Sequence, residues 1–231
     1  DIGPGLAKSA VAVTIDGVQR DLHDVIGVDS AVSIITIDSD EGIEIMRHTL
    51  TAQVLARAIK NLYPKSKLAI GPTVQDGFYY DVESDESISS DDLSKIEEEM
   101  KKIIKTKSAI TKKLVSKKEA LKIFKSNKEP YKEIIINESD QDDDFQLYYQ
   151  DDEEFVDLCR GPHLPNLGFI GSFKLTKVSG AYWKGDSKNS MLTRIYGTAF
   201  NNDKDLQNHL DNIEEALKRD HRKLGLSLIH I

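Results

Sequence analysis

A cysteine and a histidine, two residue types that can do chemistry, stand four positions apart in the segment Cys159-Arg160-Gly161-Pro162-His163. Gly161 and Pro162 lie between them, so the segment is a loop and helical geometry cannot bring the two side chains together. A thiol and an imidazole this close can ligate a metal, form a nucleophile pair or orient a water molecule. On spacing alone, a buried inert cysteine beside a surface histidine is the more common arrangement.

The overall composition is typical of a globular protein of the cytoplasm. The 231 residues are 39% hydrophobic, which is enough for one substantial core and smaller pieces. The single cysteine excludes an intrachain disulfide and suits a reducing compartment. No stretch approaches the roughly 18 apolar residues of a membrane span, and the amino terminus lacks the pattern of a signal peptide. The chain begins without methionine, as we would expect of a fragment.

The net charge of −8 argues against a nucleic-acid partner, but the charges are unevenly distributed. Acidic residues are concentrated between 83 and 92 and between 138 and 154. Between residues 171 and 200 the balance reverses, where Asp186 faces a set of basic residues: Lys174, Lys177, Lys184, Lys188 and Arg194. This basic stripe could hold phosphates, or it could be a solvated edge.

Alternating and helical patterns predict elements that would position these residues. Residues 8–38 are typical of a small β unit with a hairpin at Asp16-Gly17, too short for a complete domain. Capping residues at Ser89 and Ser116 begin two helices, and another helix ends before Pro64. Strands are predicted at 68–72, 78–82, 133–136, 145–149, 169–178 and 191–199, and a closing helix at 203–223, stopped by Gly225.

Several segments, together and in order, resemble threonyl-tRNA synthetases over nearly the whole chain. They are Arg47-His48, Ala69-Ile70-Gly71-Pro72 with Gly77-Phe78-Tyr79-Tyr80-Asp81, Tyr131-Lys132, Val156 to His163, Gly180-Ala181-Tyr182-Trp183-Lys184-Gly185-Asp186-Ser187, and Met191 to Phe200. A combination this long is specific, whereas each motif alone is not.

The resemblance implies an α+β fold made of successive parts. Residues 1–40 would be a partial β-grasp (TGS) domain, and residues 44–200 an α/β editing (deacylase) domain with a mainly antiparallel sheet packed by helices. Residues 203–225 would form a long linker helix toward a catalytic domain absent from this chain. Residues 226–231 break the charged pattern, so we expect a non-native tail there.

In this family the editing domain hydrolyses serine wrongly esterified to threonine tRNA, and it rejects threonine by denying room to one methyl group. The positions that match catalytic residues of that site are His48, Lys132, Asp157, Cys159 and His163. Those that match its wall around the tRNA end, or occupy its motifs, are Gln53, Tyr80, Arg160, Gly180, Trp183, Lys184 and Asp186.

The resemblance also suggests roles for these residues. Lys132 and Asp157 would orient the water and the terminal ribose hydroxyl, with His48 or His163 as proton acceptor. More ordinary interpretations exist for each: a surface lysine, a turn-capping aspartate and, for Tyr80 and Trp183, core aromatics.

One departure concerns the helix after His48. The family pattern has a second histidine four residues after the first. This chain has one extra residue in that stretch, so Gln53, five residues after His48, stands where the second histidine belongs. At about 100° per residue, five positions put Gln53 roughly 140° round a regular helix from His48. A π-bulge could absorb the extra residue, or His48 could precede the helix. We therefore expect weakened hydrolysis.

The resemblance also implies cofactors and partners. The partner would be the 3′ end of threonine tRNA carrying serine or threonine. No membrane partner is expected. ATP, magnesium and zinc, and homodimerisation, would belong to the absent catalytic domain. Within this fragment no cofactor is expected; zinc on His48, Cys159 and His163 is an alternative to the metal-free site that we favour.

Other functions remain open on the sequence. They are a free-standing editing deacylase acting in trans, a non-catalytic tRNA-binding module and, least consistent with residues 180–200, a metal-dependent hydrolase unrelated to tRNA.

Overall fold

The computed structural model describes residues 3–150 and 155–228, and side chains of the last helix as far as residue 219. Its elements are α1 (Pro4–Ser9), β1 (Ala10–Ile15), β2 (Val18–Asp21), β3 (Val32–Thr36), α2 (Asp40–Thr49), a π-helix (Leu50–Leu55), α3 (Ala56–Leu62), β4 (Lys67–Leu68), β5 (Thr73–Val74), β6 (Gly77–Glu83), α4 (Leu93–Lys105), β7 (Ile110–Val115), α5 (Lys117–Ser126), α6 (Pro130–Glu138), β8 (Phe145–Gln150), β9 (Val156–Leu158), β10 (Ser172–Tyr182), β11 (Met191–Phe200) and α7 (Asp203–Leu228), with single 3₁₀ turns at Ser90–Asp92, Leu167–Phe169 and Trp183–Gly185. The predicted α+β class is confirmed. Within the described residues no helix is long and apolar enough to cross a membrane.

The amino-terminal sheet has the order β2-β1-β3, with both pairs antiparallel. Asp16 and Gly17 join β1 to β2 with φ values of 49° and 83°. Positive φ at both central residues is the signature of the tight turn that suits a twisted hairpin, so this predicted hairpin is confirmed. Val11, Ala12 and Ile35 of this sheet are buried in the same core as α2 and α3.

The largest sheet places its strands in the order β10-β11-β6-β4, with β5 also on β6, and all pairs are antiparallel. Helices α2, α3 and α4 and the π-helix pack on it through one apolar core that includes Leu50, Ile59, Ile96, Met100 and Tyr80. A smaller antiparallel sheet, β7-β8-β9, lies beside it. The segments around the cavity described below therefore come from two different sheets.

The residue added after His48 is accommodated by the π-helix Leu50–Leu55 between α2 and α3. The amide of Ala56 donates to the carbonyl of Thr51, five residues earlier, as a π-turn requires. All six residues of the π-helix are buried, and the Thr51 hydroxyl donates to the carbonyl of Tyr79 at 2.8 Å. The bulge predicted as one way to absorb the insertion is confirmed.

Some local predictions are wrong, and α6 matters most because it carries Lys132. Residues 133–136 were expected to form a strand, since Ile134, Ile135 and Ile136 are β-branched, but they lie within α6. Pro130 at the first helical turn favours the helix, and Ile136 packs in the core with Phe124. The backbone of α7 continues through Gly225 to Leu228, so the predicted stop is also wrong; of the expected tail, residues 229–231 lie outside the described residues.

Candidate active site

A cavity of about 950 Å³ opens between α2, α6 and the segment that follows β8. Helices contribute His48, Ala52, Lys132, Ile135 and Glu138 to its wall. The remaining wall consists of Ile70, Gly71, Pro72, Ser139, Gln141, Asp144, Phe145, Gln146, Asp157, Leu158, Cys159 and Arg160. Four of the five expected catalytic residues therefore line one cavity, and the fifth, His163, lies behind it.

Lys132 and Asp157 form a buried ion pair in this wall. The Lys132 Nζ lies 2.6 Å from Asp157 Oδ1, and each side chain is only 3% exposed. The amide of Leu158 also donates to Asp157 Oδ1 at 2.8 Å, and the Tyr80 hydroxyl lies 3.5 Å from Oδ2. Lys132 is thus not a surface lysine, and Asp157 does more than cap a turn.

Burial raises the pKa of two acidic groups in this wall, the Asp157 carboxyl and the Tyr80 hydroxyl. Removal from water raises the pKa of Asp157 above its ordinary 3.8, although the neighbouring Lys132 cation opposes the rise. Burial also raises the pKa of Tyr80, helped by the Asp157 charge, so its hydroxyl stays protonated and available as a donor. The pair presents an ammonium and a carboxylate held in fixed positions at the cavity wall.

His48, Cys159 and His163 form the second group of polar side chains. The Nε2 of His48 lies 2.9 Å from the Cys159 Sγ, and the rings of His48 and His163 stack with centroids 4.6 Å apart. The Nδ1 of His163 lies 3.1 Å from the Thr49 hydroxyl, while its buried Nε2 has no hydrogen-bond partner among the described residues. The loop and helix α2 therefore bring together the residues that the sequence separates by more than 100 positions.

Both imidazoles are held in a neutral state. Burial is the largest cause that lowers the pKa of His48, against a hydrogen bond to the Pro162 carbonyl that raises it. Since Nε2 faces Cys159, the nitrogen that donates to Pro162 is Nδ1, so the Nε2 lone pair is the one that accepts from the Cys159 thiol and that could take up a proton. Burial also lowers the pKa of His163. A neutral imidazole at the cavity surface can serve as a base.

The three side chains are also of the types that bind metal ions. Their ligand atoms all lie within 4.8 Å of one another, and two imidazoles with a thiolate suit zinc. On a tetrahedral zinc ion, however, the bond lengths to nitrogen and sulfur separate those two atoms by roughly 3.6 Å. The 2.9 Å between His48 Nε2 and Cys159 Sγ is a hydrogen-bond distance, so the residue types suit zinc but these two atoms would have to move apart to hold it.

Position 52, rather than position 53, faces the cavity next to His48. Ala52 lines the cavity wall, whereas Gln53 is fully buried outside it. The carbonyl of Gln53 accepts from Gln150 Nε2 at 2.8 Å, and its own Nε2 has no partner within the described residues. Ala52, and not Gln53, therefore lines the cavity together with His48.

The other residues matched to the tRNA end lie at varying distances from the cavity. Arg160 is exposed at its edge, and Tyr80 is fully buried behind Asp157. Trp183 is buried against Tyr131, with ring centroids 4.8 Å apart, and does not line the wall. Gly180 and Asp186 are exposed outside it. Lys184 of this loop pairs with Glu138, which lines the cavity.

Sequence reasoning missed the residues that hold the Cys159–His163 loop from behind. Thr49, directly after His48, accepts from the amide of Leu164 at 2.9 Å. Asp21 of β2 accepts from the amide of His163 at 2.9 Å and from the Tyr148 hydroxyl at 2.7 Å. The separation in sequence is 142 residues for the first of these Asp21 contacts, so no local pattern signals it.

Comparison with known proteins first gives the class of protein that the chain resembles. Residues 146–196, which contain Asp157, Cys159 and His163, match the family described as the second additional domain of threonyl- and alanyl-tRNA synthetases. Over those residues the chain is similar to an accessory domain of aminoacyl-tRNA synthetases.

A longer match narrows that class. The chain is 48% identical over 233 aligned residues to a threonine–tRNA ligase of Hahella chejuensis, an alignment that covers all of this chain and 36% of that relative. Over this alignment the chain is similar to a threonine–tRNA ligase. It spans about a third of the length of the curated relative that it matches.

Proposed function

We propose that this chain hydrolyses the ester between a small amino acid and the 3′ end of threonine tRNA, with serine as the amino acid removed. The observation that carries the proposal is the cavity of about 950 Å³, which has a buried Lys132–Asp157 pair on one wall and the neutral His48 on another. The family match supports the tRNA partner.

In the proposed reaction a water molecule attacks the ester carbonyl and His48 accepts its proton. The bond to the terminal ribose oxygen then breaks, and that oxygen takes the proton from His48 as the free amino acid leaves. His48 is a better candidate than His163 because it lines the cavity, whereas His163 is fully buried behind it. Nε2 takes the proton while Nδ1 stays bonded to the Pro162 carbonyl, which keeps the ring oriented. The Cys159 thiol, at 2.9 Å, holds the same nitrogen before substrate binds.

The Lys132–Asp157 pair would orient the substrate. The Lys132 ammonium can donate to the oxyanion that develops on the carbonyl, and the Asp157 carboxylate can accept from the terminal ribose hydroxyl. Threonine would be rejected because its extra methyl group displaces the ester from the water; such a contact discriminates by about 1–3 kcal/mol. Arg160 and Lys184, exposed at the rim, are placed to meet the tRNA backbone.

For the longer protein we propose the activity that the relative's name gives it, threonine–tRNA ligase, in the cytoplasm. ATP, magnesium and zinc, and a homodimer interface, would belong to a catalytic domain outside this chain. Residues 1–40, 44–200 and 203–225 would then be the partial TGS domain, the editing domain and the linker helix. These assignments rest on the resemblance and on the length of the alignment.

The test is single-turnover deacylation of threonine tRNA charged with serine or with threonine. The chain should remove serine and leave threonine, and His48→Ala should slow the reaction by about 10²–10⁴, the usual contribution of a general base. His23→Ala, which changes an exposed histidine outside the cavity, serves as the control. Unchanged hydrolysis in His48→Ala would refute its role.

A second function, a non-catalytic tRNA-binding module, is favoured by one observation. Neither Ala52, which lines the cavity with His48, nor Gln53 is a histidine, so the second proton-transferring group of the family pattern is missing. In that case the chain would bind the tRNA but leave serine attached. Binding measured by filter retention, together with no hydrolysis above the uncatalysed rate, would replace the first proposal with this one.

A further inference from the structure

We propose that Asp21, in the amino-terminal sheet, is a positioning residue that fixes the Cys159–His163 loop for the reaction. This inference rests on the proposed function, because the loop supplies the thiol and the carbonyl that contact His48. Asp21 itself does not line the cavity.

Backbone amides at the two ends of the loop are held by different partners. At the first end, the amide of Cys159 donates to the carbonyl of Gln146 in β8 at 3.2 Å. At the other end the anchors are side chains: Asp21 Oδ1 accepts from the amide of His163, and Thr49 accepts from the amide of Leu164, both at 2.9 Å. Losing Asp21 would remove one of two supports there.

Asp21 also fixes the surface on which the loop rests. Its Oδ2 accepts from the Tyr148 hydroxyl at 2.7 Å, and the Tyr148 ring meets His163 edge-on with centroids 4.4 Å apart. Gly161 has a φ of 63°, and a Cβ there would lie 1.9 Å from the Tyr148 oxygen. The loop thus fits around a hydroxyl group whose direction Asp21 sets.

The charge of Asp21 is kept by an ion pair with Lys112. Lys112 Nζ lies 2.8 Å from Asp21 Oδ2. Burial raises the pKa of Asp21, but hydrogen bonds from Lys112, the His163 amide and Tyr148 outweigh it and leave the pKa lowered. A carboxylate accepting several hydrogen bonds holds its donors more firmly than a neutral acceptor does.

Asp24 provides a matched control in the same segment. It also binds Lys112, at 2.6 Å, and its side chain is 17% exposed compared with 15% for Asp21. Asp24 makes none of the contacts described for Asp21 with Tyr148 or His163. A loss shared by both variants would therefore reflect the Lys112 pairing, whereas a loss confined to Asp21 would reflect the loop.

The experiment compares Asp21→Ala, Asp21→Asn and Asp24→Ala in the whole chain, at a temperature where thermal melting shows all three folded. In deacylation of serine-charged tRNA, Asp21→Ala should lower kcat on the order of tenfold to a hundredfold, the effect of a displaced reacting group, with half-saturation changed less than about twofold. Asp21→Asn keeps an oxygen acceptor and should retain more of kcat, and Asp24→Ala should stay within about twofold of the unchanged chain.

A second measurement needs no substrate, so it separates this inference from the proposed function. Hydrogen exchange of the His163 amide should be about tenfold faster in Asp21→Ala, as expected from losing a bond to a charged acceptor, and unchanged in Asp24→Ala. Equal losses of kcat in Asp21→Ala and Asp24→Ala, or an unchanged His163 exchange rate in Asp21→Ala, would overturn the inference. If the unaltered chain hydrolyses nothing, the exchange rate alone decides it.

Discussion

On one wall of the cavity, the Lys132 ammonium and the Asp157 carboxylate neutralise each other at 2.6 Å. On the other, His48 and Cys159 hydrogen-bond to one another, and behind them the Nε2 of His163 has no partner among the described residues. The first wall fixes two charges that stay paired, and the second keeps imidazoles neutral through burial. The difference indicates that the first wall orients a substrate, while the second is available to accept a proton.

The largest expected effect comes from breaking the charged wall. Lys132→Ala leaves the buried Asp157 carboxylate unpaired, so it should lower the free energy of unfolding by about 3–5 kcal/mol. Urea denaturation measures this change. Lys132→Met combined with Asp157→Leu removes both charges and should recover much of the stability while abolishing hydrolysis.

The control for this prediction is another lysine pair near the cavity. Lys184 pairs with Glu138 at the rim, where their side chains are 43% and 56% exposed. Lys184→Ala should cost less than about 1 kcal/mol because solvent screens the pair. Equal costs for Lys132→Ala and Lys184→Ala would show that the two walls do not differ in the way described.

Local patterns predicted much of the fold. The capping box at Ser89 and the hairpin at Asp16-Gly17 are short-range devices that the sequence states directly, and both are confirmed. The strand predicted at 133–136 failed because β-branched propensity is weaker than the tertiary contacts that make α6 a helix. Strand β7, which includes Lys112 and Lys113, was missed because its apolar positions do not alternate cleanly.

Site residues that lie in a sequence motif could be predicted, whereas those that act through contacts between distant parts of the chain could not. The segment from Cys159 to His163 could be singled out from its residue types, and Lys132 and Asp157 from the resemblance. The identity of the cavity-facing residue at 52 depended on where the extra residue is absorbed, which only the π-helix reveals. Asp21 gave no signal, since an aspartate after a hairpin is ordinary.

A smaller effect is expected from strengthening the neutral wall. Ala52→His places a second imidazole opposite the loop and should raise the deacylation rate about tenfold or more, within the range of general acid–base catalysis. Gln53→His is the matched control one position away. It should give no gain, and it should lower stability by about 1–3 kcal/mol because Gln53 is buried against Gln150. A gain from Gln53→His alone would assign the family's second position to 53 after all.

The smallest effect is the dependence of hydrolysis on pH near neutrality. Burial lowers the pKa of His48 below its ordinary 6.5, so the reactive neutral ring is already more than half populated at pH 6.5. Activity should therefore change by less than about twofold between pH 7.5 and 6.5, and should fall about tenfold per pH unit once the pH lies well below that pKa. Because the unfolded ring binds a proton more readily than the folded one, stability should decline as the pH falls from the ordinary pKa of 6.5 to the lowered pKa of the folded ring, and should level off below it. Rates measured from pH 5 to 8 check this, with Ala52→His as the comparison, since a second imidazole near His48 should move the midpoint further toward acid.

A midpoint above 6.5 in the unaltered chain would mean that a charged partner stabilises the imidazolium, and the contrast between the two walls would then be lost.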